Sequence, residues 1–157
     1  MLQTIPIEKV LFLDIETVPQ VGNWQHLDEP TQNLWDKKTR LQRKDDFTAE
    51  EFYKERGGIM AEFGKIICIS VGIIEKSEKI IIKSFYGDDE KQLLEEFGEI
   101  FNRPKLRDVI LCAHNGKEFD FPWIARRFLI NGMHPPKPFQ LFGKKPWEIK
   151  HLDTMEL

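Results

Sequence analysis

The chain has 157 residues, enough for one domain with a sizeable buried core. Hydrophobic residues make up 41% of it and charged residues 31%, a balance that excludes intrinsic disorder. The formal net charge of −3 argues against a broad basic surface of the kind that grips duplex DNA, but clustered carboxylates that hold cations would also lower this charge. No apolar run is long enough to cross a bilayer and no signal-peptide pattern opens the sequence, so we expect a cytoplasmic protein with no membrane partner.

A strand is the first predicted element in chain order. Residues 8–18 begin with an apolar run without polar alternation until Asp14, which predicts a strand buried on both faces. From residue 19 to about 58 the chain is polar and carries mixed charges. Thr48 and Glu51 have the spacing of a capping box, so a helix is predicted near the end of this segment.

The second half of the sequence alternates strands and helices. Two apolar segments, 65–74 and 79–86, are separated by the polar residues 75–78 and predict a β-hairpin. The order of elements predicts an α/β fold, a single domain over residues 1–157 with a mixed sheet flanked by helices. The remaining predicted elements are a helix over 88–102, a strand over 109–113, a helix over 121–130 and a strand-like stretch over 148–153.

Two acidic residues stand at the end of the first predicted strand. Asp14 and Glu16 are two positions apart, so their side chains project from the same face of a strand. Two carboxylates facing one way repel each other, and a divalent cation with its preference for oxygen ligands would relieve that repulsion. The alternative is that the strand ends at Leu13 and the two acids are solvated turn residues.

A second polar motif follows the short apolar strand VILCA. Asn115-Gly116 predicts a tight turn with positive φ, and Asp120 falls in the first turn of the next helix. There the positive end of the helix dipole favours an ionised carboxylate, ready for a metal ion. Taken singly, Asp120 could be only an N-cap, Phe119 a core anchor and Asn115 a turn residue.

The two motifs together resemble a known family. LDIET at 13–17 and HNGKEFD at 114–120 are similar to the first and second motifs of the DEDD (DnaQ-like) 3′–5′ exonucleases. The likeness is greatest to bacterial stand-alone relatives of the family-B DNA polymerase proofreading domain, since EFGKIICISVG at 62–72 and LDTM at 152–155 also resemble strands of that subgroup. The resemblance spans nearly the whole chain and implies a ribonuclease-H-like fold.

The resemblance implies a metal-dependent activity. It assigns Asp14 to bridging two Mg²⁺ or Mn²⁺ ions, Glu16 to holding one of them and orienting water, and Asp120 to the second. The implied reaction is hydrolysis of the terminal phosphodiester at the 3′ end of single-stranded DNA or RNA, with release of nucleoside 5′-monophosphates. Four further residues are implied to bind the substrate or shape its pocket: Thr17, Val18, Asn115 and Phe119.

The resemblance also implies that the fold is incomplete. The family's fourth acid is an aspartate on a late helix, preceded by a tyrosine or histidine, and only 37 residues follow Asp120 (157 − 120). Asp153 corresponds to a strand-end residue that is usually not the fourth ligand. We therefore expect the C-terminal part of the fold to be missing and the 157-residue chain to be weakly active or inactive.

Two other functions are compatible with parts of the sequence. A phosphatase of the haloacid-dehalogenase type would use a strand ending like residues 14–18 and a later Gly-Asp-Asp, which residues 87–89 offer. That reading leaves 115–120 unexplained and requires Asp88, not Asp120, to lie beside Asp14. The other alternative is a non-catalytic module that binds nucleic-acid ends.

Two basic segments could contact nucleic acid. For residues 137–147 the favoured interpretation is a solvated loop with its aromatic side chains against the core, and the alternative is a single-strand-binding loop. For residues 34–56, interleaved acids favour a solvated helical face over a nucleic-acid clamp. The residues concerned are Lys137, Lys144 and Lys145 with Phe139, Phe142 and Trp147 in the first segment, and Lys37, Lys38, Arg40, Arg43 and Lys44 in the second.

Overall fold

The computed structural model describes residues 5–44, 46–75 and 79–156. Its strands form one five-stranded sheet in the order β3-β2-β1-β4-β5. The alternation of strands with helices confirms the predicted α/β class and mixed sheet. The strands are β1 (Val10–Pro19), β2 (Gly64–Ile74), β3 (Ile80–Tyr86), β4 (Ile110–Ala113) and β5 (Leu152–Asp153), and the helices are α1 (Glu29–Arg43), α2 (Ala49–Arg56), α3 (Glu90–Glu99) and α4 (Asp120–Ile130).

The chain divides into two compact units. One comprises the residues up to 16 and those from 66 onward, and the other comprises residues 17–65. The first contains α3, α4 and most of the sheet, and the second contains α1 and α2. The single domain predicted over residues 1–157 stays a prediction.

Three parallel strands bring their carboxyl ends to one edge of the sheet. β1 pairs with β4 with Phe12 opposite Cys112, and β4 pairs with β5 with Ala113 opposite Asp153. Because parallel strands end at the same edge, the residues after Phe12 and those after Ala113 meet there with Asp153.

Strand β1 is buried on both faces where it begins, since Val10 and Leu11 are both buried, and on one face where it carries its two acids. Leu11, Leu13 and Ile15 are buried, whereas the alternate residues Asp14 and Glu16 are exposed. The prediction of a strand buried on both faces therefore holds for the start of the apolar run and not from Asp14 on, where the two acids are exposed to water.

The observed boundaries of the predicted elements follow the predicted ones to within a few residues, except at β5. The hairpin of β2 and β3 is antiparallel as predicted, with Ile74 opposite Ile80, while positions 76–78 of its predicted turn lie outside the described residues. Strand β5 is shorter than the predicted stretch 148–153, since Glu148 belongs to the 3₁₀ turn Pro146–Glu148 and residues 149–151 are irregular. Within the described parts of the chain, no helix combines the length and apolarity required to cross a membrane.

An aromatic cluster fills the core of the first unit. Leu93, Leu94 and Phe97 lie buried along α3, which confirms the predicted apolar stripe. The Phe97 ring meets Phe101 edge-on at 5.3 Å and Phe139 at 5.6 Å. Such pairs stabilise by about 0.5–1.5 kcal/mol beyond their burial. The contact with Phe139 fixes the start of the loop that leads to β5.

The second unit has a core of its own around Trp35, Tyr53 and Phe63. The Trp35 ring meets Tyr53 edge-on at 5.1 Å and Phe63 edge-on at 5.0 Å. Helix α2 begins with the predicted capping box, since the Thr48 side chain accepts from the Glu51 backbone and the Glu51 side chain accepts from the Thr48 backbone. This part of the polar segment therefore folds around buried aromatic rings.

Helix α1 includes a buried arginine. Asp28 caps the helix by accepting from the backbone of Thr31, at 2.8 Å, and a proline lies in its first turn. Arg43 is only 8% exposed, is paired with Asp36 and donates to the Phe47 carbonyl. The interpretation of residues 34–56 as a solvated face is thus wrong for Arg43, whose charge is used inside the unit.

A buried ion pair joins two helices of the first unit to β2. Glu90 at the start of α3 is paired with Arg127 of α4, and both are buried. The Glu90 carboxylate also accepts from the Ile66 backbone at 2.7 Å and from the Asn131 side chain at 2.9 Å. Since the charge is fully partnered, the network stabilises this arrangement of elements.

We expect Arg127→Met to destabilise the fold by about 3–5 kcal/mol, because the substitution leaves the Glu90 carboxylate buried without its charge partner. Urea unfolding at neutral pH measures the loss. Arg126→Met is the matched control, since Arg126 is exposed on the same helix. Equal stabilities of the two variants would contradict the role of the pair.

Candidate active site

The loop between β4 and α4 turns sharply at Asn115 and Gly116. Asn115 has a positive φ of 58°, as the predicted tight turn requires. Gly116 is needed for space: an added Cβ there would lie 2.5 Å from the Ala113 Cβ and 2.7 Å from the Phe121 ring. The chain can therefore pass close to the end of β4 before it enters α4.

Asp120 is the first residue of α4, and its carboxyl group is buried. The N-cap position belongs to Phe119, so the interpretation of Asp120 as only an N-cap is wrong. Asp120 is 3% exposed, and its carboxylate accepts hydrogen bonds from its own backbone N–H and from that of Ile15 in β1. Helix α4 is thus hydrogen-bonded to the central strand between the two exposed acids.

The pKa of Asp120 lies well above the ordinary value for an aspartate. Burial raises this pKa most, the nearby carboxylates of Asp14 and Asp153 raise it too, and the two backbone donors lower it, so that the resulting pKa is about 6. Burial thus opposes the predicted effect of the helix dipole, and the role of Asp120 as a metal ligand stays a prediction. The effect of Asp14 on the pKa of Asp120 shows that the acids of the two predicted motifs interact electrostatically.

Asp153 at the end of β5 holds the loop that precedes Asp120. Its carboxylate accepts from the backbone N–H of Asn115 at 2.8 Å, of Lys117 at 3.1 Å and of Met155 at 3.0 Å. Burial raises its pKa, but the three donors outweigh burial and hold the pKa below the ordinary value. The sequence offered one signal for this role, an aspartate ending a predicted strand.

We expect Asp153→Asn to destabilise the fold by about 1–3 kcal/mol. The substitution replaces one carboxylate oxygen by an NH₂ group, which cannot accept a hydrogen bond from the backbone N–H that it faces. The folded-state pKa of Asp153 is lowered, so its stabilisation is present above pH 4 and lost as the pH falls further. Urea unfolding of variant and wild type at several pH values measures the difference. A difference that grows towards low pH would contradict this role.

Four residues implied to contact substrate have defined surroundings. Asn115 and Phe119 are half-buried in the loop, and the Phe119 ring centroid lies 6.4 Å from that of Trp123. The Thr17 hydroxyl donates to a backbone carbonyl in its own compact unit, that of Gly58, at 2.7 Å. Val18 is half-buried beside the same glycine. Their contacts with a substrate stay predictions.

An open apolar groove of about 400 Å³ runs along the sheet beside Asp14. Phe12 and Ile74 line it together with Ile80 and Ile82 of the edge strand β3. Asp14 is the charged residue of this lining, so a molecule that reached its carboxylate would also meet apolar surface.

The residues fit a divalent cation in their chemistry. The carboxylates of Asp14 and Asp120 are hard oxygen donors that repel each other, and Glu16 is exposed on the same face of β1 as Asp14. Among the described residues no group of three or more histidine, cysteine, aspartate or glutamate side chains is arranged to hold a metal ion. A metal centre formed by Asp14, Glu16 and Asp120 therefore stays a prediction, supported by the interaction of Asp14 with Asp120.

The Gly-Asp-Asp segment at 87–89 has a structural role. Asp89 caps α3 by accepting from the Gln92 backbone at 3.1 Å. Asp120, by contrast, interacts electrostatically with Asp14. This pairing weighs against the haloacid-dehalogenase-type alternative.

Residues 52–157 match the model of a protein family described as the RNase_H superfamily. The match covers more than half of the chain, and the chain belongs to the RNase_H superfamily. The predicted ribonuclease-H-like fold is thereby confirmed. The assignment to the DEDD subgroup and the missing C-terminal part stay predictions.

Solved structures of two nucleic-acid enzymes are similar to the chain. The family B DNA polymerase of the hyperthermophilic archaeon Pyrobaculum calidifontis matches 79% of the chain at 14% identity with a TM-score of 0.43. Exonuclease I of E. coli, in complex with a dT13 oligonucleotide, matches 92% of the chain at 12% identity with a TM-score of 0.49. The chain spans 11% of the polymerase and 27% of the exonuclease. No curated protein sequence matches it significantly.

Proposed function

We propose that the chain carries the site of a metal-dependent 3′–5′ exonuclease that hydrolyses terminal phosphodiesters of DNA or RNA and releases nucleoside 5′-monophosphates. The observation that carries the proposal is the charge interaction by which Asp14 on the central strand raises the pKa of Asp120 at the start of α4. Two acidic motifs 106 positions apart (120 − 14) contribute to it, within a chain of the RNase_H superfamily.

In this proposal Asp14 and Asp120 hold Mg²⁺ or Mn²⁺ between them, and Glu16 completes the set. Two such ions supply a lowered pKa for the attacking water and charge neutralisation at the leaving 3′ oxygen. The chain itself provides the positioning: the backbone N–H of Ile15 orients the Asp120 carboxylate, and Asp153 holds the preceding loop. Such fixed orientation matters because a misplacement of about 1 Å can cost a hundredfold in rate.

The substrate end is proposed to enter from the open face of β1. Asp14 and Glu16 are exposed there, and the apolar groove beside Asp14 offers a surface for a nucleobase. Thr17, Val18, Asn115 and Phe119 are proposed to contact or shape the site of the terminal nucleotide. A cytoplasmic location and the absence of a membrane partner remain part of the same prediction.

A 5′-labelled single-stranded oligonucleotide with Mn²⁺ tests this function. We expect a ladder of products shortened from the 3′ end, stopped by EDTA and by a blocked 3′ terminus. The assay is run on the 157-residue chain and on a chain extended through any downstream coding sequence. Binding without hydrolysis in both chains would instead indicate an end-binding module.

A further inference from the structure

The loop that leads to β5 exposes two large aromatic side chains. Phe142 is 57% exposed and Trp147 is 74% exposed, whereas Phe139 in the same loop is fully buried. The interpretation of this loop as one whose aromatic side chains pack against the core is therefore right for Phe139 and wrong for the other two. An indole ring left in water is unusual, since large apolar groups stabilise a protein by being buried.

The same loop is a local concentration of positive charge. Residues 137–150 contain four lysines and one glutamate, a net charge of +3 (4 − 1) in a chain whose net charge is −3. The Lys145 ammonium lies 5.0 Å from the centre of the Trp147 ring. A cation beside an aromatic face offers one group for a phosphate and another for a base.

Both ends of the loop are fixed to the core of the first unit. At its start the buried Phe139 ring packs against Phe97. At its end His151 accepts from the Leu111 backbone at 3.1 Å through Nδ1 and donates to the Pro138 carbonyl at 2.7 Å through Nε2. The exposed rings are thus presented from an ordered base, which lowers the entropic cost of using them in binding.

The loop also lies close in sequence to the candidate active site. Trp147 and Asp153 are six positions apart (153 − 147), and a segment of that length spans at most about 20 Å. Asp153 in turn holds the loop that carries Asn115. A strand bound at Trp147 can therefore reach the proposed site of hydrolysis.

We propose that Phe142, Lys144, Lys145 and Trp147 form a stacking surface that binds single-stranded nucleic acid next to the candidate active site. The aromatic rings stack on bases and the two exposed lysines contact phosphates, without preference for sequence because every base has an aromatic face. A duplex keeps its bases stacked inside, so the surface selects single strands. The role in feeding substrate rests on the proposed nuclease function, but the binding itself does not.

The test measures the anisotropy of a fluorescein-labelled single-stranded oligothymidylate added to the 157-residue chain in EDTA, where hydrolysis is blocked. We expect Trp147→Ala to weaken binding by about 5-fold to 150-fold, the effect of losing one stacked base, and Trp147→Phe to retain most of the affinity. Replacing Lys144 and Lys145 together by alanine should make binding less dependent on salt. The slope of log K, where K is the binding constant, against log salt concentration should become less steep by roughly 1.4.

Tyr86→Ala is the matched control, because Tyr86 is 79% exposed on the edge strand β3 and its loss should leave binding unchanged. Wild-type affinity in Trp147→Ala, an equal loss in Tyr86→Ala, or no binding of oligothymidylate by the wild type would each overturn the surface. If Trp147-dependent binding is found but no hydrolysis occurs in any chain, the nuclease proposal fails and the binding surface stands.

Discussion

Asp14→Asn is expected to lower the rate of 3′-end hydrolysis by at least about a thousandfold while leaving the fold intact. The substitution removes one negative charge from the position proposed to bridge two cations and hardly changes the side-chain volume. Asp14 is exposed on the open face of β1, so its replacement creates no cavity in the core. Single-turnover release of mononucleotide from a 3′-labelled oligonucleotide at saturating Mn²⁺, by the chain extended through any downstream coding sequence, measures the effect.

The control for Asp14→Asn is a second aspartate whose charge lies outside the site. Asp108 is exposed and pairs with Lys137 on the surface, so Asp108→Asn removes the same charge with little expected effect on rate. Circular dichroism and urea unfolding check that both variants fold. Near-normal hydrolysis by Asp14→Asn, or an equal loss in Asp108→Asn, would contradict the role given to Asp14.

Asp120→Asn is expected to abolish hydrolysis and, in the absence of metal, to stabilise the fold at neutral pH. The folded-state pKa of Asp120 is raised to about 6 from an ordinary 3.8, so ionising it costs more in the folded protein. This cost of ionisation is absent at pH values below the pKa of Asp120 in the unfolded state, and it is fully present at pH values above the pKa in the folded state. The shift of about 2 units corresponds to a gain of at most about 3 kcal/mol at pH 7.5.

Urea unfolding of wild type and Asp120→Asn in EDTA, at pH 4 and at pH 7.5, measures this difference. The asparagine oxygen can still accept from the Ile15 backbone, so the helix start is kept. We expect nearly equal stabilities at pH 4 and a more stable variant at pH 7.5. A variant that is less stable than wild type at pH 7.5 would show that ionising the buried Asp120 carboxyl group does not destabilise the folded protein.

Much of the fold was predictable because its signals are local. The capping box of Thr48 and Glu51, the apolar stripe of α3 and the alternation of Asp14 and Glu16 with buried neighbours are all patterns within a few residues. The tight turn at Asn115 likewise follows from the residue type and its neighbour glycine. Helix α1 was not predicted as a defined element, because its sequence is mostly polar and does not show that Trp35 is buried.

The rest of the site depends on contacts between distant residues. Asp153 accepts from Asn115 across 38 positions, and Glu90 is paired with Arg127 across 37. No local pattern encodes these partners, because each acid alone resembles an ordinary cap or surface residue. The raised pKa of Asp120 follows from burial that only the packing of α4 against β1 creates.

The most direct test of the proposed centre is Mn²⁺ binding to the 157-residue chain, followed by the EPR signal of the free ion. The wild type should bind Mn²⁺, and Asp14→Asn and Asp120→Asn should each weaken binding by at least about tenfold. Because both carboxylates are proposed to hold the same ion, the double variant should lose less than the sum of the two single losses. Wild-type Mn²⁺ affinity in Asp14→Asn, or an equal loss in Asp108→Asn, would contradict the account.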